Sequence, residues 1–190
     1  NQPLPSDAGN PLPKDEMLQL QNTVAAILEP FLSVGGLVMQ AIDHARSLFH
    51  IMDYTTMRAV NSFLFMLNQI TRAVAEYNST HSDFPMVQGQ IEAYATKRVV
   101  FCLLWSLVGD TRGVLRTEMS EWVRGQVAGA VPLPPDGDIM DFEVTLPVGE
   151  WSPWVDKVPR IEVEGKKMTG TDVVVPTLDT VRHEDVLYTW

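Results

Sequence analysis

Residues 84–110, FPMVQGQIEAYATKRVVFCLLWSLVGD, decide which kind of fold the rest of the chain must build. The first half of this stretch is amphipathic, with apolar residues at helical spacing, whereas Val99–Val108 is apolar nearly all round. A helix with such a second half must be covered on several sides, because apolar surface left in water costs free energy in proportion to its area. The stretch therefore predicts a helix enclosed by other elements.

Four further stretches have the apolar spacing that is typical of amphipathic helices: residues 16–32, 35–50, 53–78 and 112–125. Pro30 is expected to end or kink the first helix, because proline has no N–H for the helical ladder. The helix at 112–125 is expected to stop at Gly125, since glycine is favoured just after a helix C-terminus. Together with the enclosed helix they form a bundle of about five helices.

The long helix at 53–78 carries a candidate site residue. Its predicted buried stripe consists of Val60, Phe63, Leu64, Leu67 and Val74. Arg58 lies about 160° from Val60 at the 100° per residue of an α-helix, so it points away from that stripe. Two interpretations of Arg58 stay open: a solvated arginine, or a cation held out toward an anion on another module, such as a nucleotide phosphate.

After the helices, a Gly/Pro-rich linker leads into a β-rich segment. Apolar residues alternate with Glu or Thr at 142–146 and at 161–164, which predicts two half-buried strands. Trp151 and Trp154 between them are interpreted as a hydrophobic plug that joins two packed layers. At the C-terminus, DVVVPTLDTVRHEDVLYTW (172–190) predicts a buried strand, a turn at Pro176 and the first turns of a helix. The predicted fold class is therefore α+β, mainly α.

Composition excludes several functions. The net charge of −10 argues against binding to nucleic acid or to an anionic membrane surface, and acidic residues concentrate in the last third of the chain.

Cys102 is the single cysteine and is interpreted as a packing residue. Neither a phosphate-binding loop G-x-x-x-x-G-K-[ST] nor a nucleophile elbow G-x-S-x-G occurs. The four histidines lack metal-ligand spacing and are interpreted as surface or capping residues, so neither a metal site nor a catalytic residue is predicted.

Four stretches resemble the cytoplasmic dynein heavy chains, and they occur in the same order between about Met17 and Trp190: HIMDYTTMRAVNSFLFML (50–67), FCLLWSLVGDTRGVLRTEMSEWVR (101–124), GEWSPWVDKVPRIEVEG (149–165) and VVVPTLDTVRHEDVLYTW (173–190). The motor of that family is a single-chain ring of six AAA+ modules that uses ATP to walk along microtubules. The resemblance implies a flexible lead-in at 1–16, the helical lid of the second module at 17–125, a linker and β-rich connector at 126–171, and the start of the third module at 172–190. The chain would then be cut shortly before the third module's phosphate-binding loop.

The resemblance also implies two sets of nucleotide contacts, each of them half of a site. Arg58, in TTMRAV, falls at the family's sensor II position, where a cation of the lid touches the terminal phosphate bound to the second module. The loop that lines the adenine pocket of the third module in that family corresponds to Val175, Pro176 and Thr177. The cofactor would be ATP or ADP with Mg in the parent ring, with none bound tightly to this segment alone.

The implied partners are the neighbouring AAA+ modules of the same chain, with microtubules and cargo adaptors reached only through the parent motor, in the cytoplasm and on the cytoskeleton. The segment would transmit nucleotide state between modules without hydrolysing ATP itself. The composition fits a second hypothesis equally well, a stand-alone acidic helical adaptor, although a domain rarely ends on an apolar strand and an uncapped helix. An independent hydrolase is the weakest hypothesis, since no nucleophile–base pair can be proposed.

Overall fold

The computed structural model describes residues 12–159 and 176–188. The strands predicted at 161–164 and 172–175, and the site residue Val175, lie outside these ranges. Within them, five helices form the bundle: α1 (Lys14–Leu32), α2 (Leu37–Ala45), α3 (Thr56–Thr80), α4 (Gln88–Val108) and α5 (Gly113–Gln126). An antiparallel hairpin of β1 (Phe142–Thr145) and β2 (Glu150–Pro153) follows, and α6 spans Leu178–Tyr188. The predicted fold class, α+β and mainly α, is confirmed.

Helix α4 is the enclosed helix that its composition predicts. It packs against α1, α2, α3, α5 and β1, and every residue from Val99 to Leu104 is at most 1% exposed. Cys102 lies inside this run as a free thiol, which agrees with its interpretation as a packing residue. Burial raises the pKa of the Cys102 thiol to about 11, so the side chain stays neutral at physiological pH.

Helix α3 buries a different stripe from the predicted one. Its buried residues are Ala59, Phe63, Met66, Ile70, Val74 and Ala75. Leu64, which belongs to the predicted stripe, is 47% exposed, and Val60 and Leu67 are only half-buried. Phe63 and Val74 are buried as predicted. The prediction for Leu64 was wrong, because residues 63–67 are all apolar and the pattern alone does not select one face. The packing of α4 against α3 selects it instead.

The C-terminal ends of two helices, α1 and α5, can be compared with the predicted ends. Helix α1 continues two residues past Pro30, so the proline occupies its last turn and does not interrupt it. The expected stop of α5 at Gly125 is wrong, since the helix runs to Gln126 and the Val127 N–H still donates to the Val123 carbonyl at 3.0 Å. Val127 is 5% exposed, so its burial draws one more residue into the helix end.

The segment after α5 packs into the same hydrophobic core as the helices. Val131, Ile139, Met140 and Trp154 are all at most 4% exposed. Trp154 therefore acts as the predicted plug, while the half-buried Trp151 donates its indole N–H to the Pro132 carbonyl at 2.8 Å. A Gly/Pro-rich composition thus does not prevent this segment from contributing to the core.

One residue of β1 contradicts the simple alternation of a half-buried strand. Glu143 was expected on the polar face, but it is only 8% exposed. The Lys157 ammonium donates to the Glu143 Oε2 at 2.6 Å and keeps the buried carboxylate paired. Lys157 comes from the 3₁₀ turn Trp154–Lys157, whose return to the strand could not be predicted from local alternation.

Among the described residues, no single helix is long and apolar enough to cross a membrane; α1 and α2 meet that length and composition only as a pair, with a bend of 52° between them.

Candidate functional site

Arg58 lies in the first turn of α3, at the end of the bundle where α4 finishes. The Thr55 hydroxyl caps α3 by accepting a hydrogen bond from the Arg58 backbone N–H at 3.3 Å, which fixes where the helix starts. The Arg58 side chain is 47% exposed. Among the described residues, Asp110 provides the one carboxylate within ion-pair distance, with 3.9 Å between the Arg58 Nη2 and the Asp110 Oδ2.

Asp110 is held more closely by a second residue, His50. The His50 Nδ1 lies 2.9 Å from the Asp110 Oδ1, and the Ile51 N–H reaches the Asp110 carbonyl at 3.4 Å. These two bonds join the connection between α2 and α3 to the end of α4. As a result, the position of Arg58 relative to the core depends on contacts between segments that are 60 residues apart in sequence.

His50 is not the surface or capping residue that the sequence predicts. Its side chain is only 5% exposed, and its two ring nitrogens both face acceptors: Nδ1 faces Asp110, and Nε2 lies 2.8 Å from the Ala45 carbonyl. A neutral imidazole carries one N–H, so both bonds form together only when the ring is doubly protonated. No local sequence pattern signals this role, because the partner is distant along the chain.

A cleft of about 410 Å³ opens beside Arg58 and Asp110. It lies between the start of α3, the end of α4 and the C-terminal half of α6, and its other wall residues include Tyr54, Trp105, His183 and Leu187. Burial is the largest influence on the Tyr54 phenol and raises its pKa, so this phenol is neutral at physiological pH. The cleft therefore combines the partly exposed Arg58 and its partner Asp110 with largely apolar walls.

Helix α6 is fastened to the bundle by Arg182. The Arg182 side chain is 4% exposed; its Nη1 donates to the Asp141 Oδ1 at 2.7 Å and its Nη2 donates to Asp179. Its guanidinium also lies 6.0 Å from the centre of the Trp105 ring, and the His183 ring meets the same tryptophan edge-on at 5.3 Å. Burial raises the pKa of Asp141 more than Arg182 lowers it. Asp141 thus accepts the hydrogen bond from Arg182 at a position that is partly shielded from water.

Pro176 and Thr177, two of the predicted adenine contacts, stand at the N-terminus of α6. Thr177 caps the helix reciprocally with Thr180: the Thr180 N–H donates to the Thr177 Oγ1 at 3.2 Å, and the Thr177 N–H donates to the Thr180 Oγ1 at 2.6 Å. Thr177 is exposed and Pro176 half-buried. Neither of them is among the residues that line the cleft beside Arg58. The structure therefore does not bring the two predicted sets together.

The arrangement around Arg58 is suited to binding and offers little for catalysis. Arg58 can donate several hydrogen bonds to a phosphate in a fork geometry that lysine lacks. In the described parts of the chain, no three His, Cys, Asp or Glu side chains come together as a metal-binding group. The chemistry that the site supports is the recognition of an anion presented by another surface.

Comparisons with known proteins identify the family of the chain. The sequence profile of a family described as "Dynein heavy chain AAA lid domain" matches residues 28–156. The chain is 44% identical over 173 residues to a cytoplasmic dynein heavy chain of Drosophila melanogaster, and 42% identical over 174 residues to one of Neurospora crassa. It is 39% identical over 174 residues to the corresponding protein of Dictyostelium discoideum. Each match covers 91% of this chain, which spans only 4% of the length of each relative.

Proposed function

The chain belongs to the dynein heavy chain AAA lid domain family, and from this premise we propose that it is the lid of the second AAA+ module in a cytoplasmic dynein motor ring, continuing into the start of the third module. The parent would be an ATP-driven motor in the cytoplasm that moves along microtubules and reaches cargo through adaptors. In this proposal, residues 17–125 are the lid, 126–171 the connector and 172–190 the start of the next module. The partners in direct contact are neighbouring modules of the same chain.

The observation that carries this proposal is the position of Arg58. It is a half-exposed arginine in the first turn of α3, paired at 3.9 Å with Asp110. A lid that senses nucleotide needs a cation that is free to move toward a phosphate on the facing large domain. An arginine held by a tight bidentate pair would not meet that need, and Arg58 is not held in that way.

A second feature supports a facing domain at this end of the bundle. Four large apolar side chains are well exposed within residues 49–57, at and just before the start of α3: Phe49, Ile51, Met52 and Met57. Their exposed fractions run from 59% to 71%. Exposed apolar residues that cluster in this way mark contact surfaces. We infer that the large domain of the second module covers them and presents its nucleotide to Arg58.

The proposal predicts that Arg58→Ala in the full-length heavy chain weakens nucleotide binding at the second module. Loss of a charge-assisted contact of about 1.5–3 kcal/mol corresponds to roughly a 10- to 100-fold higher Kd. The measurement is titration with a fluorescent, non-hydrolysable ATP analogue, with the phosphate-binding lysines of the other nucleotide-binding modules substituted. Arg58→Lys should give an intermediate Kd, because lysine keeps the charge without the fork of donors.

Arg46→Ala is the matched control, since Arg46 is an exposed arginine that pairs with Asp43 at 3.7 Å on α2. Its Kd should stay within about twofold of the unsubstituted chain, as expected for an exposed ion pair. An Arg58→Ala chain that binds the analogue as tightly as the Arg46→Ala chain would exclude Arg58 as a phosphate contact.

The second set of predicted contacts is proposed for the third module. Pro176 and Thr177, together with Val175 outside the described residues, would line an adenine pocket that the rest of the third module completes. ATP or ADP and its Mg would be bound by the neighbouring large domains, whose residues would carry out any hydrolysis. The lid and connector contribute recognition and position to these sites.

We further propose that α6 transmits the nucleotide state of the second module to the third. Its C-terminal half lines the cleft that contains Arg58, its N-terminus carries Thr177, and Arg182 fastens it to the connector. A helix that is fixed in this way can move as a rigid body with the bundle. Motion of the bundle around Arg58 would therefore displace Thr177.

Asp141→Asn should loosen α6 without unfolding the bundle, because Asp141 is 43% exposed and Arg182 keeps its second partner, Asp179. Backbone amides of α6 are expected to exchange hydrogen about tenfold faster, which corresponds to the loss of one charge-assisted bond of about 1.5 kcal/mol. Hydrogen exchange with mass spectrometry on the full-length chain measures this. Asp136→Asn, at an exposed position of the linker, should leave α6 exchange unchanged. Equal exchange in both variants would show that Arg182 does not fasten α6 through Asp141.

The family assignment favours this proposal over a stand-alone acidic adaptor. An adaptor would use the acidic C-terminal part or the tryptophan pair as a surface, yet Trp154 is fully buried and Trp151 half-buried. Neither side chain is available as the main anchor of a partner.

A further inference from the structure

Arg58, Asp110 and His50 form a chain of three polar side chains with unequal distances between neighbours. The Arg58–Asp110 separation of 3.9 Å exceeds the 2.7–3.2 Å range of an N–H···O hydrogen bond, so this contact is an electrostatic restraint only. The His50–Asp110 distance of 2.9 Å is that of a hydrogen bond. Asp110 is therefore anchored by His50, and Arg58 is attracted by a carboxylate that does not orient it.

We propose that Asp110 competes with a nucleotide phosphate for Arg58, and that His50 limits this competition through its hydrogen bond to Asp110. This inference rests on the proposed function of Arg58 as a phosphate contact and adds two residues that tune it. Asp110 and His50 would act through Arg58 and would not touch the nucleotide.

The net charge of the three residues explains the direction of the effect. Arg58 and Asp110 alone sum to zero, which offers no electrostatic attraction to a phosphate at a distance. His50 faces acceptors at 2.9 Å and 2.8 Å from its two nitrogens, and a doubly protonated ring donates to both of them and brings the sum to +1. In that form the cluster attracts an anion while one carboxylate still holds Arg58 near the cleft. Removing Asp110 strengthens phosphate binding, and removing His50 weakens it.

The deciding variant is Asp110→Asn in the full-length heavy chain. Asparagine keeps an oxygen that accepts the His50 N–H, so the connection between α2–α3 and α4 is retained while the negative charge is lost. The Kd of the second module for the fluorescent ATP analogue should fall about fivefold. Asp43→Asn removes a charge of the same sign from an exposed position on α2 and should change that Kd less than twofold.

His50→Gln should move the Kd in the opposite direction, raising it about threefold, because Asp110 then keeps its full charge beside Arg58. Opposite signs from two residues that are bonded to each other would not arise from a shared structural role, since loosening their bond would shift both variants the same way. The Asp110→Asn/Arg58→Ala double variant should bind no more tightly than Arg58→Ala alone, because Asp110 acts through Arg58.

The outcomes separate the two proposals. If Arg58→Ala leaves the Kd unchanged, the phosphate contact itself is excluded. If Arg58→Ala raises the Kd but Asp110→Asn raises it or leaves it unchanged, Arg58 is a phosphate contact and the competition by Asp110 is excluded. A gain from Asp110→Asn that persists in the double variant also overturns the competition, since Asp110 would then act on the nucleotide without Arg58.

Discussion

Gly149→Ala is expected to destabilise the native chain by about 3 kcal/mol, from backbone strain and a clash together. Gly149 closes the turn between β1 and β2 with φ +67°, in the left-handed region. A Cβ at this position would lie 2.6 Å from the Tyr94 nitrogen and 2.7 Å from the Ala93 carbonyl carbon, both in the backbone of α4. Neither atom can move without displacing a helix that is enclosed on several sides. The Lys97 ammonium of α4 also donates to the Gly149 carbonyl at 2.5 Å. The turn is therefore held against α4 by a hydrogen bond as well as by the close backbone approach.

Gly129→Ala provides the matched control. Gly129 also has a positive φ, of +80°, but a Cβ there would meet no atom within 4 Å. It should therefore show the backbone cost alone, about 1 kcal/mol. Urea unfolding of the two variants, followed by circular dichroism, gives both free energies. Equal losses would mean that the turn can move away from α4, and the close approach described above would not constrain the native chain.

Trp154→Ala is expected to have the largest effect of all, a loss of about 3–5 kcal/mol in the free energy of unfolding. Trp154 is 0% exposed and joins the segment after α5 to the core of the helices. Lys157 adds a cation–π contact, because its ammonium lies 5.1 Å from the centre of a Trp154 ring. Alanine would leave a cavity at the turn Trp154–Lys157, which packs against α6 and β2.

Trp154→Phe separates the effect of lost side-chain volume from the effect of the indole N–H. The Trp154 indole N–H has no hydrogen-bond partner among the described residues, so phenylalanine removes a buried unpaired donor while keeping most of the apolar volume. Its loss should be about 1–2 kcal/mol, well below that of alanine. Thermal unfolding followed by near- and far-UV circular dichroism measures both variants and should show one transition for the whole chain. A Trp154→Ala loss below about 1 kcal/mol, or a separate early transition, would show that this segment folds apart from the helices.

The helices could be predicted from the sequence because their signal is local. Apolar residues three and four apart mark a helix whatever it packs against, so all five bundle helices are found within a few residues of their predicted ends. The face of α3 could not be predicted in the same way, since residues 63–67 are apolar on every side. Contact with α4 buries Met66 and Ile70 and leaves Leu64 in solvent.

The same distinction between local and long-range signals applies to the residues of the candidate site. Arg58 could be named in advance because its direction on α3 and its resemblance to a family position are properties of a short stretch. Its neighbours could not, since Asp110 and His50 are 60 residues apart and no spacing rule connects them. The same holds for Arg182, whose partner Asp141 lies 41 positions away.

What the sequence determined by itself is the enclosed helix α4, the bundle around it and the family resemblance. What only the tertiary structure decided is the buried face of α3, the pairing of the buried Glu143 with Lys157, the requirement for glycine at 149, and the His50–Asp110–Arg58 chain. The physical reason is the range of the interactions. Helix periodicity and capping act between residues within one or two turns, whereas burial, ion pairing and close backbone approach depend on which distant segments the packing of the core brings together.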